Sequence, residues 1–442
     1  MVGGRKMLSQ EENELLCRVG PGTLMGNLLR RYWMPACLSG ELDRDGSPLE
    51  VRLLGEDLIA FRDTDGRVGL VDVNCPHRGA SLYYGRNEDC GLRCIYHGWK
   101  FDVDGNCTDM PSERRSFAER IKLPNYPVHE SGGIVWTYMG PAETMTPFRD
   151  FGTEGLEADE IGATKLFWDC NWVQALEGNI DTAHISHLHQ WFGNQGVPDN
   201  DSDQPGYPDI SWLGKLCWSD RAPAVEVQDE WYGFRYVGIR DTPKGYKHVR
   251  LTAFTMPSLT IIAAVPFSTR QLIVVPIDDH SSWRYSFKTG EDPNPKGYGA
   301  SDSPVRSPHR MVGPSERGIR MRTANAANHY EIDREFQKTE SFSGIRDFVA
   351  QDYAVTESMG TIYNRTKEHL GTTDLAVIRM RSMLLGAARG LAEGKEPPGL
   401  TGQGDFRIIR SAEKVIEPGE DWRTLGTDED PGVVEAYASL TD

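Results

Sequence analysis

The sequence has few cysteines, no long hydrophobic run and an excess of negative charge. Eight cysteines in 442 residues are too few for a disulfide scaffold. The longest nearly apolar stretch, residues 259–267, is much shorter than the roughly 20 residues that span a bilayer. The 48 Lys and Arg against 65 Asp and Glu give a net charge of −17, which repels phosphate backbones and anionic lipids. We therefore expect neither a membrane nor a nucleic acid as a partner.

Residues 1–16 contain no apolar segment of the kind found in secretory signals, and we expect a cytoplasmic protein. The chain is 38% hydrophobic and 26% charged, which is typical of globular proteins and disfavours extensive disorder. In a cytoplasmic chain, clustered cysteines indicate a metal site rather than disulfides.

The distribution of strand and helix patterns predicts an α+β protein. Residues 27–145 show short apolar runs separated by turns, which is typical of a small all-β domain. Residues 146–442 combine helical and strand patterns, and they predict a larger domain with a mostly antiparallel sheet flanked by helices. Residues 1–26 are predicted to form an N-terminal helical arm.

Several individual elements are predicted within these domains. Apolar residues 58–61 and 68–73 flank Asp65-Gly66, which is a hairpin signal. A helix is predicted over residues 168–184, where apolar side chains recur every four positions. Further predictions are strands at 233–239, 250–255, 259–265, 272–277 and 283–287, a helix at 373–391, and irregular segments at 194–208 and 290–318.

Two short segments each place one Cys and one His close together. One residue separates Cys75 from His77, and two residues separate Cys94 from His97. Two thiolates and two imidazoles suit either a structural zinc ion or a [2Fe-2S] cluster with two Cys on one iron and two His on the other. Because each segment contributes one ligand of each kind, the pattern favours the cluster. Zinc sites usually pair two Cys or two His in one segment.

The residues around these ligands fit the same interpretation. Gly79 and Gly98 would let backbone N–H groups approach the bridging sulfides of a cluster, where hydrogen bonds raise the reduction potential. Cys90 and Cys107 match no position of the ligand pattern, and we interpret them as bystanders.

Three histidines, His184, His187 and His189, lie within six residues. A solvated histidine-rich turn is one explanation. Alternatively, two imidazoles and a distant carboxylate form the facial triad that leaves positions on Fe(II) open. On a helix, Asp181 would share a face with His184 and orient its ring. Since His187 also lies at i+3 from His184, spacing alone leaves the choice between His187 and His189 open.

The first constellation, C-P-H-R-G-A at 75–80 and C-I-Y-H-G-W-K-F at 94–101, resembles the ligand loops of a Rieske domain. The resemblance implies that the two cysteines hold the buried ferric iron and the two histidines hold the iron that changes oxidation state. It also implies that residues 27–145 form a Rieske [2Fe-2S] domain and residues 146–442 a catalytic mononuclear non-heme iron domain.

The second constellation resembles the catalytic motif D-x2-H-x4-H of Rieske non-heme iron oxygenases, which Asp181, His184 and His189 match in both gaps. This resemblance favours His189 over His187 as the second iron ligand. It further implies a homotrimer, in which Asp181 bridges His97 of one chain and His184 of its neighbour as an electron relay.

The third iron ligand is assigned mainly by resemblance. Asp352, in F-V-A-Q-D-Y at 348–353, is similar to the downstream carboxylate of the family. Asp347 and Glu357 are the alternatives, because one acidic residue among many is a weak signal.

The resemblance runs over essentially the whole chain and is closest to the phthalate 4,5-dioxygenase-like branch, through L-R-R-Y-W at 29–33 and N-R-T-K-E-H-L-G at 364–371. That branch comprises aromatic-acid ring oxygenases and aryl-ether O-demethylases. It implies an oxygenase component that uses O2 to dihydroxylate a phthalate-like aromatic acid. O-demethylation of a methoxylated, lignin-derived aromatic or biphenyl acid is the alternative.

The chain contains no G-x-G-x-x-G segment for NADH. The resemblance accordingly implies a separate NADH-dependent reductase with a flavin and a plant-type ferredoxin. Two other classes, an electron carrier without oxygenase activity and a zinc-stabilised binding module, leave the second constellation unexplained.

An aromatic carboxylate needs a cationic partner in the binding pocket. Arg250, within a predicted strand, is the first candidate for substrate binding, and Arg235 and Arg240 follow it. For each of them, an arginine that points to solvent is the alternative.

Overall fold

In a computed structural model, the chain folds into two compact units. The first unit consists of Arg18–Lys165 and Val275–Asp279, and the second of Met1–Cys17, Leu166–Val274 and His280–Asp442. The structure describes residues 7–156, 158–190, 192, 217–218, 220–242, 245–265, 268–289, 311–314, 320–400 and 404–427. Within these ranges, every helix is too short or too polar to cross a membrane.

The first unit is built mainly from short antiparallel strands. They are β1 (Met34–Leu38), β2 (Leu49–Leu53), β3 (Glu56–Arg62), β4 (Val68–Asp72), β5 (Arg86–Glu88), β6 (Gly91–Arg93), β7 (Lys100–Phe101), β8 (Cys107–Asp109), β9 (Val128–Ser131) and β10 (Ile134–Thr137). The sheet orders are β1-β10-β9, β2-β3-β4 and β5-β6-β7-β8. Helices Leu24–Leu29 and Ala158–Ile161 also belong to this unit.

Strands β3 and β4 form the predicted hairpin. Ile59 and Phe61 on β3 are fully buried in the core of the first unit. In the turn, the Asp63 carboxylate accepts hydrogen bonds from the backbone N–H groups of Asp65 and Arg67, and Gly66 has a φ of +86° that favours glycine. Burial of the apolar runs and the hydrogen bonds of the turn therefore both stabilise this hairpin.

The second unit is dominated by one large sheet. Its strands are β11 (Thr164–Trp168), β12 (Ala224–Glu230), β13 (Gly233–Asp241), β14 (Lys247–Thr255), β15 (Leu259–Val265), β16 (Ser268–Pro276), β17 (Ser282–Thr289), β18 (Met311–Pro314), β19 (Arg320–Arg322) and β20 (Ala412–Ile416). The sheet order is β11-β17-β16-β15-β14-β13-β12, with β20 also paired to β14, while β18 and β19 pair separately. The helices are Gln10–Cys17, Trp172–Ile180, Arg334–Thr339, Phe348–Ser358 and Leu375–Ala392.

The two faces of β13 have different roles. Val237 packs into a hydrophobic core that includes Trp422. On the opposite face, Tyr236 donates a hydrogen bond to the last carbonyl of helix Trp172–Ile180, and Arg240 donates to the segment that follows this helix. Because successive side chains on a strand alternate between faces, β13 joins the core on one side and holds a polar segment on the other.

The helix predicted over residues 168–184 is shorter in the structure, Trp172–Ile180, and Asn171 caps its first turn. His184–Ser186 forms a separate 3-10 turn. The prediction was therefore wrong in placing Asp181 on one continuous helix with His184. The Asp181 carboxylate accepts a hydrogen bond from the backbone N–H two residues later, at 2.6 Å, and such local bonds compete with helix continuation.

The predicted α+β fold class is confirmed. The five predicted strands appear as β13 to β17, and the predicted C-terminal helix appears as Leu375–Ala392. Residues 194–208 lie outside the described residues. The irregular structure predicted for 290–318 was wrong at Met311–Pro314, because β18 pairs with β19 in an antiparallel ladder.

Candidate functional site

The two Cys/His segments adopt the same turn. Cys75 N donates to the carbonyl of Ala80 at 2.8 Å, and Gly79 N donates back to the carbonyl of Cys75 at 2.9 Å. In the second segment, Gly98 N donates to the carbonyl of Cys94 at 2.9 Å. Both glycines have positive φ angles, +74° and +79°, which a side chain would strain. Their own N–H groups thus close the loops.

These loops bring the four predicted cluster ligands together. Cys75 and Cys94 lie in the core of the first unit. Burial raises the pKa of Cys75 to about 11, and the adjacent Cys94 contributes to the rise. The ring centroids of His77 and His97 are 4.4 Å apart. The buried Nδ1 of His77 has no hydrogen-bond partner among the described residues. Two thiols, two imidazoles and a free ring nitrogen fit a [2Fe-2S] cluster.

Other side chains near the loops make different contacts. Trp99 stacks on His77, with ring centroids 4.4 Å apart and an interplanar angle of 7°. Cys107 is buried in the same core, and its thiol donates to the carbonyl of Asp109. Cys90 is only partly buried.

In the second unit, His184, His189 and Asp352 place one possible ligand atom each within 4.8 Å of one another. Asp352 Oδ1 lies 3.1 Å from Nε2 of His189 and 3.8 Å from Nε2 of His184. His184 and His189 follow helix Trp172–Ile180, whereas Asp352 lies on helix Phe348–Ser358. Two imidazoles and one carboxylate that converge in this way fit a mononuclear Fe(II) site with open positions.

The carboxylates and imidazoles at this site shift one another's pKa values. Burial would raise the pKa of Asp352, but the His189 and His184 imidazoles lower it below its usual value. Burial would lower the pKa of His184, but the Asp181 carboxylate, 3.6 Å from its Nδ1, raises it. A bound cation would replace the protons that link the three side chains and would provide the positive charge between them, since metal ligands must be deprotonated.

The alternative ligands are engaged elsewhere. His187 is exposed, and its ring lies against Phe342. Asp347 caps helix Phe348–Ser358 by accepting from two backbone N–H groups. Glu357 accepts a hydrogen bond from the hydroxyl of Tyr330. None of these three side chains belongs to the described group of ligand atoms.

Two residues that the sequence did not single out also contact His189. Gln351 Oε1 lies 2.6 Å from Nδ1 of His189, and the ring of Phe348 stacks on the imidazole at 3.8 Å. Together with Asp352, they occupy positions i, i+3 and i+4 of one helix. Once Asp352 is chosen as a ligand, that spacing identifies both neighbours as residues of the same helix face.

The three candidate arginines differ in their partners. Arg250 donates to the carbonyl of Ala263 at 3.0 Å, and its Nε lies 3.6 Å from Glu413. Arg235 donates to backbone carbonyls near the C-terminal end of the described chain. Arg240 is fully buried. It donates through Nη2, while its Nε and Nη1 have no hydrogen-bond partner within the described ranges.

A second group of possible ligand atoms is formed by Cys217, His248 and Glu413. His248 Nε2 lies 2.9 Å from the Glu413 carboxylate, which also approaches Arg250. Burial raises the pKa of Cys217 to about 11. Because Arg250 and Arg240 place positive charge beside this group, we interpret it as a buried ion-pair network rather than a cation site.

Two family models match the chain. One, described as a Rieske [2Fe-2S] domain, matches residues 32–127. The other, described as LigXa C-terminal domain like, matches residues 137–438.

Three curated relatives match most of the chain. The phthalate 4,5-dioxygenase oxygenase subunit of Pseudomonas putida is 38% identical over 94% of this chain and 94% of its own length. The 3-chlorobenzoate-3,4-dioxygenase oxygenase subunit of Comamonas testosteroni is 35% identical over 95% and 98%. The 5,5'-dehydrodivanillate O-demethylase oxygenase subunit of Sphingobium is 30% identical over 88% and 83%.

Among solved structures, NdmA of Pseudomonas putida CBB5 with caffeine is similar, with a TM-score of 0.56. The similarity covers 90% of this chain and 100% of that chain at 18% sequence identity. At this identity the likeness concerns the fold.

Proposed function

Because the chain belongs to the Rieske oxygenases, we propose that it uses O2 to dihydroxylate the ring of a phthalate-like aromatic carboxylic acid. The chain is the oxygenase component of a Rieske oxygenase system and carries one Rieske [2Fe-2S] cluster and one mononuclear iron. Two relatives that cover nearly its full length are named as dioxygenase subunits for phthalate and 3-chlorobenzoate. Both names refer to aromatic carboxylates.

We assign the cluster to two Cys and two His ligands and the mononuclear iron to His184, His189 and Asp352. The cluster ligands are Cys75, His77, Cys94 and His97. When bound, the cluster supplies single electrons and the mononuclear iron activates O2. The protein side chains orient these groups, and the Asp181 carboxylate holds a proton at Nδ1 of His184, so that Nε2 of this ring is free to bind iron.

The carboxylate proposal rests on Arg240, which is buried with donor atoms that have no partner among the described residues. Burial lowers the pKa of its guanidinium, so a bound anion would stabilise its charged form. Two of its nitrogens lack partners among the described residues, and a guanidinium fork matches a carboxylate. We therefore propose Arg240 as the main carboxylate partner. Arg250, the first candidate from the sequence, would add positive charge beside it.

Thr182 places a second buried polar side chain near Arg240. Its hydroxyl is buried without a partner in the described part of the chain. A Cβ added to Gly238 would lie 2.8 Å from this hydroxyl and 3.4 Å from Arg240 Nη1, so both groups lie close to the same backbone position. Thr182 lies next to Asp181 and two residues before His184. A carboxylate held here would place the attached ring beside the proposed iron site.

O-demethylation of a methoxylated, lignin-derived aromatic or biphenyl acid is the second candidate function. It is favoured by the relative named as a 5,5'-dehydrodivanillate O-demethylase oxygenase subunit. The arginine and threonine would serve either reaction, since both substrates carry a carboxylate.

We further propose a homotrimer in which Asp181 also contacts His97 of the neighbouring subunit. About 30% of the Asp181 side chain is exposed, which leaves it accessible to a second protein surface. The electrons would come from a separate NADH-dependent reductase with a flavin and a plant-type ferredoxin. Dependence on NADH suits a cytoplasmic location. We also propose that residues 1–26 form an N-terminal helical arm, residues 27–145 the Rieske domain and residues 146–442 the catalytic domain.

The test is O2 consumption with product analysis, using iron-loaded protein, a reductase and a panel of phthalates, methoxybenzoates and biphenyl acids. A cis-dihydrodiol formed with one O2 consumed supports ring dihydroxylation. Formaldehyde release from a methoxylated acid would instead identify the reaction as O-demethylation. If oxidation occurs equally well with the methyl esters of the acids, the carboxylate proposal is wrong.

A further inference from the structure

Gln351 contacts both His189 and the backbone of its own helical region. Its side chain is fully buried. Oε1 lies 2.6 Å from Nδ1 of His189, and Nε2 donates to the carbonyl of Ile345 at 2.7 Å. The amide is therefore held at both ends.

The second contact determines which end of the amide faces the imidazole. The carbonyl of Ile345 only accepts hydrogen bonds, so it must face the NH2 end of Gln351. Reversing the amide would place two oxygens against each other and leave two buried groups unsatisfied. With Oε1 directed at His189, the hydrogen bond exists only if Nδ1 of His189 carries the proton. In the neutral ring that a metal requires, Nε2 then keeps its lone pair.

That lone pair points towards the site already described. Nε2 of His189 lies 3.1 Å from Asp352 Oδ1, on the opposite edge of the ring from Gln351. Phe348 stacks on the same ring with an interplanar angle of 19° and restricts its tilt. Residues 348, 351 and 352 thus hold one imidazole by its face, its Nδ1 edge and its Nε2 edge.

The two histidines of the site are oriented differently. Nδ1 of His184 faces a carboxylate, Asp181, at 3.6 Å, and 23% of the His184 side chain is exposed. Nδ1 of His189 faces a neutral amide at 2.6 Å, and only 4% of its side chain is exposed. A neutral partner orients the buried ring without adding a second negative charge beside Asp352.

We propose that Gln351 is a positioning residue that holds His189 in the Nδ1–H tautomer and so presents Nε2 to the iron. This inference rests on the proposed iron site. In metal sites, partners behind a ligating histidine typically change metal affinity by roughly 10- to 100-fold. Gln351 would set the affinity of the site without touching the metal.

The test is Co(II) binding to full-length protein that retains its cluster but lacks the mononuclear iron, followed by competition with a chelator and by the visible spectrum of the bound ion. Gln351→Leu is expected to weaken Co(II) binding by about 10- to 100-fold. Gln351→Glu is expected to stay within a few-fold of wild type, since a buried, protonated carboxyl is neutral like the amide, accepts from Nδ1–H through one oxygen and donates to the carbonyl of Ile345 through its O–H. Gln174→Leu is the control. Gln174 is a buried glutamine whose hydrogen bonds within the described residues all go to backbone groups.

The outcomes separate this inference from the proposed function. If wild-type protein binds Co(II) and Gln351→Leu binds it equally well, the positioning role is wrong while the iron site stands. If Gln351→Leu and Gln174→Leu lose affinity and thermal stability in parallel, Gln351 is merely structural and the proposal is again wrong. If Asp352→Asn leaves Co(II) binding unchanged, the iron site itself is misassigned. Rescue by Gln351→Glu supports the proposal even where Gln351→Leu folds poorly.

Discussion

Asp352 Oδ1 lies 3.1 Å from Nε2 of His189, although the two residues lie far apart in the sequence of the second unit. The carboxylate comes from the middle of a helix and the imidazole from an irregular segment. Their contact completes the only set of two histidines and one carboxylate among the described residues.

The Asp352 assignment predicts a selective loss of metal. Asp352→Asn should reduce mononuclear iron to about a tenth of the wild-type content, because a neutral amide is a poor ligand for Fe(II). The red colour of the cluster should persist, because its proposed ligands lie in the first unit. Iron analysis together with the visible spectrum measures both sites in one sample.

The matched control is Asp347→Asn on the same helix. Asp347 is the N-cap, and Asn is an equally good capping residue, so this variant should keep its iron. Iron loss in Asp347→Asn with retention in Asp352→Asn would reverse the assignment.

The relay hypothesis predicts that Asp181→Asn separates metal binding from turnover. The substitution removes a charge and an acceptor but keeps the shape of the side chain. Both metal sites should remain loaded, while turnover with substrate and reductase should fall at least about 100-fold, the upper range for a residue that supports a ligand. Rapid-mixing measurement of cluster reoxidation by O2 shows whether the electron transfer is slowed. Iron loss in this variant would refute the relay role.

The carboxylate subsite predicts a specific effect of Arg240→Met. A charged hydrogen bond contributes about 1.5–3 kcal/mol, so KM for the aromatic acid should rise about 10- to 100-fold. Arg250→Met should have a smaller effect, because Arg250 is already engaged by Ala263 and Glu413. Steady-state kinetics on the acid and its methyl ester provide the comparison, and equal losses on both would contradict the subsite. Iron content must match wild type, because Arg240 also donates to Thr182 and Ser186.

A second buried ion-pair network, centred on Glu177, predicts that the stability of the protein depends on pH. Glu177, on the helix that precedes the proposed iron ligands, binds Arg365 at 2.8 Å and Arg381 at 2.6 Å. Burial would raise the pKa of Glu177, but the two guanidinium groups lower it below its ordinary value of 4.5. Glu177→Gln leaves buried positive charge uncompensated and should lower the free energy of unfolding by about 3–5 kcal/mol at pH 7.

The sign of the pH dependence follows from the lowered pKa. The folded protein holds the proton of Glu177 less tightly than the unfolded chain, so its contribution is complete above the ordinary pKa and is lost as pH falls through the lowered one. Denaturant unfolding of wild type and variant between pH 7 and pH 3 should show the difference shrinking only at the acidic end. Glu393→Gln, in an exposed pair with Lys395, should have no measurable effect. A difference that stays constant down to pH 3 would contradict the ion-pair explanation.

Local patterns were sufficient to predict the fold class and to propose most of the metal ligands. The cluster loops could be recognised because Cys75 and His77, like Cys94 and His97, lie within a few residues of each other, and short spacing restricts geometry. The strands β13 to β17 could be predicted because a strand pattern is also a property of a few consecutive residues. The helix over 168–184 was overestimated because apolar spacing does not report where a side chain such as Asp181 bonds to the backbone instead.

Only the tertiary structure decided which distant side chains meet. The sequence alone determined that two metal sites and a sheet with helices were present, since ligand spacing and hydrophobic period are properties of short segments. It could not rank Arg240 above Arg250, because their partners depend on how β13, β14 and β20 pair across the sheet. It could not identify Gln351 either, because its contact with His189 spans 162 residues. Such contacts arise from the packing of whole elements, which no local pattern encodes.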